Sequence, residues 1–186
     1  SSIAYHLAKA GVTTLLLEKR DIAVAASGAS AGGVRQQGRD PRELPFAILA
    51  CARWATLEEE LTADVHYRRK GHLSLIEHEG DRPALIAAIE RQRAAGLNIV
   101  LVEGDELRAL APAVSPHLLA GSYTPDDGHA NPGLTTRAFA AAAARAGAEI
   151  RTGVNVRGLA GAGGRVTGVL TDDGPIAADV TILAAG

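Results

Sequence analysis

Cysteine is almost missing from this chain: Cys51 is the only one in 186 residues. No internal disulfide can form, which excludes a secreted, cross-linked scaffold and makes a reducing cytoplasm the expected compartment. An excess of positive charge is missing too. Nineteen basic against 21 acidic side chains leave a net charge of -2, too little basic field to hold a phosphate backbone or an anionic membrane surface. Nucleic acid is therefore not an expected partner. Long apolar runs are also lacking. Runs such as residues 97–102 and 180–185 fall well short of the roughly 20 residues that span a bilayer. The start carries neither an export signal nor a methionine; it reads as the middle of a helix.

What is present is an apolar fraction of 47%, enough for a buried core. Residues 1–10 have helical spacing (Ile3 with Leu7, Ala4 with Ala8) and Gly11 as the stop. Residues 12–17 are a continuous apolar run of the kind that forms a parallel strand buried on both faces, and the run ends on Glu18. From Lys19 to Arg39 the chain is rich in Ala, Gly and Ser and reads as a long functional loop. Asp40-Pro41-Arg42-Glu43 opens a helix that Pro45 delays or kinks. A hairpin is expected from residues 66–69 and 72–76 across Lys70-Gly71. A helix from Asp81 to Gly96, a strand over 98–102, a short helix from Asp105 to Leu110 and a strand over 118–123 follow. Asn131-Pro132 caps a third long helix ending at Gly147, and three strands (149–156, 166–171 and a buried 176–184) close the chain.

A helix followed by a strand that ends in an acid is the second half of a dinucleotide-binding βαβ unit. The free N–H groups of a helix start collect pyrophosphate charge, and the acid accepts hydrogen bonds from ribose hydroxyls. Glu18 stands where such an acid belongs, but the glycine loop that should precede it is not in the chain. The small residues from Ala25 to Gly33 let the backbone approach a flat ligand. An ordinary nicotinamide-dependent Rossmann dehydrogenase remains the alternative, because a helix, a strand and one Glu serve it equally well.

The stretches SSIAYHLAKAGVTTLLLEKR, ASGASAGGVRQQ, DDGHANPGLTTRAFAAAAARAGAEI and VTILAAG resemble the FAD-dependent oxidoreductases typified by D-amino acid oxidase, glycine oxidase and the β subunit of sarcosine oxidase. The resemblance spans nearly the whole chain, with residues 65–125 matching in pattern more than in motif. It implies an α/β fold in which a discontinuous Rossmann-like FAD-binding domain (1–62 and 130–186) surrounds an inserted α+β substrate domain (63–129). It also implies that the family's G-x-G-x-x-G strand-loop and its C-terminal part lie outside this chain. The expected activity is hydride transfer to FAD from an amino acid or related amine.

By position, Glu18 would meet ribose, with Lys19 beside the adenosine. Ala26 and Ser27 would line the pyrophosphate, Ala31, Gly32 and Gly33 the flavin, Val156 the adenine, and Ala184, Ala185 and Gly186 the strand crossing. Arg35 is the one candidate for a substrate carboxylate, since its fork pairs with two oxygens. A missing first strand would leave an open sheet edge beside Leu15–Leu17 that invites association with another chain, and a fragment of this kind would be catalytically incompetent.

Other polar groupings read as structure. Asp126, Asp127, His129 and Asn131 form a turn and a helix cap rather than a metal site. Gly161-Ala162-Gly163-Gly164 is a hairpin turn, since no helix follows it. His66, Arg68, Arg69, Lys70 and His72 are the wet face of a sheet. Cys51 is a buried thiol rather than a nucleophile.

Overall fold

The computed structural model describes residues 1–185. In chain order the elements begin with α1 (Ser2–Lys9), β1 (Leu15–Leu17), α2 (Ala26–Ala29), β2 (Gly33–Val34) and α3 (Leu44–Leu61). Next come β3 (His72–Ile76), a 3-10 turn at Glu79–Asp81, α4 (Arg82–Ala94), β4 (Val100–Glu103) and α5 (Gly104–Leu110). The chain continues with β5 (Ala120–Thr124), β6 (Gly128–His129), α6 (Pro132–Arg145), β7 (Glu149–Arg151), β8 (Val156–Ala162), β9 (Arg165–Thr171) and β10 (Gly174–Ala177). They divide into two units. The first holds Ser1–Ala31, Leu61–Val65 and the chain from Pro132 onward; the second holds Gly32–Glu60 and His66–Asn131. This division takes residues 32–60 out of the segment that the sequence reading had grouped with the first unit.

In the first unit, α1 stops as its sequence dictates. Gly11 adopts φ +79, its N–H reaches Ala8 O at 2.9 Å and that of Val12 reaches Leu7 O at 3.0 Å, satisfying two carbonyls left open by the last turn. Ala4, Tyr5 and Ala8 are buried on α1, and Ala138, Ala140, Ala142 and Ala143 on α6. Small side chains let the two helices approach, and Tyr5 meets Phe139 with ring centroids 5.8 Å apart. After α6 the chain enters β7, which pairs in parallel with β1 from Leu15↔Glu149 to Leu17↔Arg151. The antiparallel meander β8-β9-β10 completes this unit, turning at Gly163-Gly164 as expected.

The second unit is built on the antiparallel sheet β3-β5-β4. Leu44 of α3, Leu85 and Ile89 of α4, Leu97, Ile99 and Ala120 form its apolar core. Burying a side chain of the size of Leu or Ile contributes roughly 1.5–3 kcal/mol, which is why α4 shows that face inward. The start of α3 is prepared at Asp40, whose Oδ1 accepts from Arg42 N at 2.9 Å and whose carbonyl accepts from Leu44 N at 3.0 Å.

Five expectations are corrected. Residues 66–69 do not form a hairpin with 72–76. Arg68 pairs with His129 and β3 with β5, so both segments are held by the chain on either side of the 125–127 turn instead of by each other. The loop from Lys19 to Arg39 contains α2 and β2, because Gly28 N and Ala29 N find Ala25 O and β2 finds β6. The strand expected over 149–156 is interrupted at Gly153, φ +74, giving β7 and β8. Leu15–Leu17 are half-buried rather than buried on both faces. The last expected strand ends at Ala177. Val180 and Leu183 are 76% and 70% exposed, because after the Ala178 N–H to Thr167 O contact no described strand continues a ladder with 179–185.

Candidate functional site

The first unit gathers Glu18, Lys19 and Val156 around the ends of β1 and β7. Glu18 N donates to Arg151 O at 3.0 Å, and Glu18 O accepts from Val154 N at 3.0 Å, so the residue that ends β1 is fixed from both sides. Its Oε1 accepts from Arg20 N at 2.9 Å, which orients the carboxylate and leaves Oε2 with lone pairs for a hydroxyl donor. Lys19 and Val156 are exposed. Ala26 and Ser27 lie in the single turn of α2, exposed like Ala31, and α2 packs on α6. Gly28 admits no side chain, since a Cβ there would stand 1.7 Å from Ala23 O. Ala26, Ser27 and Ala31 thus present exposed small side chains, and Glu18 an oriented carboxylate. Ala184 and Ala185 are exposed and outside any strand; Gly186 lies outside the described residues.

In the second unit Gly32 accepts at its carbonyl from Ala130 N at 2.9 Å, and Gly33 faces His129 in the β2-β6 ladder. Gly33 and Arg35 line an open cleft of about 340 Å³, whose other walls are Val34, Arg39, Glu43 and the α3 residues Phe46, Ala47, Ala50, Cys51 and Trp54. Arg35 is exposed at the edge of an apolar wall, in no ion pair among the described residues. Burial first, then the negative charge of Asp127, pushes the Cys51 thiol up to about 11. The thiol is protonated at neutral pH, as a buried small hydrophobe should be.

Beneath Arg35 is a buried polar network that sequence reasoning missed. Asp127 is 0% exposed. Its Oδ1 accepts from Gln36 N at 2.7 Å and Gln36 Nε2 at 3.1 Å, and its Oδ2 from Gln37 N at 3.1 Å. Gln37 Nε2 in turn donates to Ser122 Oγ at 2.5 Å and Ser122 O at 3.2 Å, while Gln37 Oε1 stands 3.1 Å from His72 Nδ1. Burial, with the nearby Arg35 charge second, lowers the affinity of His72 for a proton. The one sequence signal was a pair of adjacent amides, Gln36-Gln37, in a stretch otherwise of small and basic residues. Asp126, by contrast, pairs with Arg69 and accepts from Asn98 Nδ2 at 3.1 Å. Arg69 and Asn98 together hold its carboxyl below the usual range.

A parallel strand pair followed by an oriented acid in one unit, and an antiparallel sheet with an arginine-edged cleft in the other, make up a two-unit α/β fold. The chain belongs to the FAD dependent oxidoreductase family, whose model matches residues 1–186. It is 35% identical to 4-methylaminobutanoate oxidase (formaldehyde-forming) of Paenarthrobacter nicotinovorans over all of this chain and 23% of that protein. It is 30% identical to glycine oxidase of Bacillus licheniformis over all of this chain and 51% of that one. The crystal structure of glycine oxidase from Geobacillus kaustophilus superposes with a TM-score of 0.91 at 26% identity, over 100% of this chain and 52% of that one. The chain thus spans about a quarter to a half of the length of these relatives. Among the described residues no helix is long and apolar enough to cross a membrane.

Proposed function

We propose that this chain is part of a cytoplasmic flavoprotein that oxidises an amino acid or related amine. The observation that carries the reading is Glu18. It ends a strand paired in parallel, it is oriented by the Arg20 N–H, and it precedes the exposed small-residue strip that a bound dinucleotide needs. FAD, when bound, accepts the hydride leaving the carbon next to nitrogen. In this reading Glu18 binds the ribose hydroxyls and Lys19 lies by the adenosine. Val156 meets the adenine, and Ala26 and Ser27 present backbone to the pyrophosphate. Ala31, Gly32 and Gly33 leave room for the flavin, and Ala184, Ala185 and Gly186 pass the cofactor. Segments 1–62 and 130–186 serve the cofactor and 63–129 serve the substrate.

Arg35 would take the substrate carboxylate, two N–H groups to two oxygens, while Phe46 and Trp54 keep water from one side of the same cleft. That arrangement selects an amine that also carries an acid. Purification of the full-length protein tests the cofactor: a visible-blue flavin band and oxidation of an amino acid without added nicotinamide are expected. A colourless protein that turns over only with NAD would overturn the reading.

A further inference from the structure

Asp127 is a costly residue to bury. Removing a carboxylate from water costs several kcal/mol unless hydrogen bonds replace its hydration, and here they come from Gln36 and Gln37. No ion pair among the described residues includes it. Its main chain is engaged as well: Asp127 O accepts from Gly71 N at 2.8 Å, directly before His72, and Asp127 N donates to Thr124 O at 3.3 Å. Two segments distant in sequence, 35–37 and 71–72, therefore meet on one residue.

The acceptor arithmetic explains the choice of side chain. Gln36 N and Gln37 N approach different oxygens of Asp127, so both oxygens must accept. A carboxylate does this; an amide offers one oxygen and turns an N–H toward the other donor. The hydrogen bond from Gln36 N also fixes the peptide that joins Arg35 to Gln36, and β2 on the other side of Arg35 is fixed by its ladder to β6. Arg35 is held at both flanks, and one of those anchors is the buried anion.

We propose that Asp127 is a positioning residue for carboxylate recognition, holding the segment that carries Arg35 so that its guanidinium is presented in one orientation. The inference rests on the reading of Arg35 as the carboxylate anchor. Its test is a binding cycle on the FAD-loaded full-length protein, with propanoate as probe and calorimetry as readout. Arg35→Gln and Asp127→Asn are each expected to weaken binding about tenfold or more. The double variant is expected to bind within about twofold of Arg35→Gln alone, because a residue that acts through Arg35 has nothing left to position.

Unchanged binding in Asp127→Asn, or losses that multiply in the double variant, overturns the inference while leaving the anchor intact. Unchanged binding in Arg35→Gln overturns the anchor and the inference together. If Asp127→Asn does not fold, Gln36→Met removes one of the three hydrogen bonds and keeps the carboxylate. A loss of about threefold is then expected only where Arg35 is present, and no loss overturns the proposal.

Discussion

Gln37 holds His72 in a single protonation pattern. The Gln37 Nε2 donates to the carbonyl oxygen of Ser122, a group that only accepts, so its Oε1 is the atom that faces His72 Nδ1 at 3.1 Å. His72 must then carry its proton on Nδ1, leaving Nε2 as a lone pair.

The pH dependence follows from the direction of the His72 shift. Burial and Arg35 lower its folded value below the ordinary histidine value of about 6.5. As pH falls through that ordinary value the unfolded chain binds a proton that the folded chain refuses, and stability is lost until the folded value is passed. The urea midpoint should therefore fall between about pH 7.5 and about pH 5.5, and fall less in His72→Gln. Equal slopes in the two proteins would refute this, and nitrogen NMR shifts should show the Nδ1–H form.

Gly128 is irreplaceable for a reason of space. A Cβ there would stand 2.3 Å from Arg68 O and 3.0 Å from Arg69 Cα, backbone atoms held by the Arg68–His129 bridge. Gly128→Ala should cost about 1–3 kcal/mol as an overpacked contact, read as a lower urea midpoint with an unchanged slope. A neutral result would show that residues 66–69 move freely.

Glu18→Ala should weaken FAD binding about tenfold or more, since a hydrogen bond to a charged group contributes about 1.5–3 kcal/mol. Quenching of flavin fluorescence on titration of the full-length protein measures it. An unaltered affinity would remove Glu18 from the cofactor site. Thermal unfolding should change little, because among the described residues the hydrogen bond to the Glu18 carboxylate is the local one from the Arg20 N–H.

Cys51 should resist alkylation. With its thiol pushed up to about 11, about one molecule in a thousand is thiolate at pH 8. The iodoacetamide rate should be very low at neutral pH, climb about tenfold per pH unit and level off only above about pH 11. Fast labelling at neutral pH would mean that the α3 wall of the cleft opens.

Local chemistry was legible wherever one segment satisfied itself. Gly11 ends α1 because no other residue takes that φ so cheaply. Asp40 and Pro45 set the delayed start of α3, and the alanines of α6 declare a close-packed face. The strand-then-acid pattern at Glu18 is common to dinucleotide-binding units, and the resemblance to the family was carried by the contiguous stretches 1–20, 26–37, 126–150 and 180–186.

What the sequence by itself determined is thus the type of the long helices and of most strands, and the family. Only tertiary structure decided the pairings: that Arg68 meets His129 of β6 and 72–76 meets β5 instead of each other, and that 179–185 has no ladder among the described residues. Tertiary structure also turned Asp127 from a turn residue into a buried clamp on Gln36 and Gln37. A period or a cap is written in neighbouring residues, whereas a carboxylate is buried or exposed according to donors about 90 positions away, and no local pattern records where those will be.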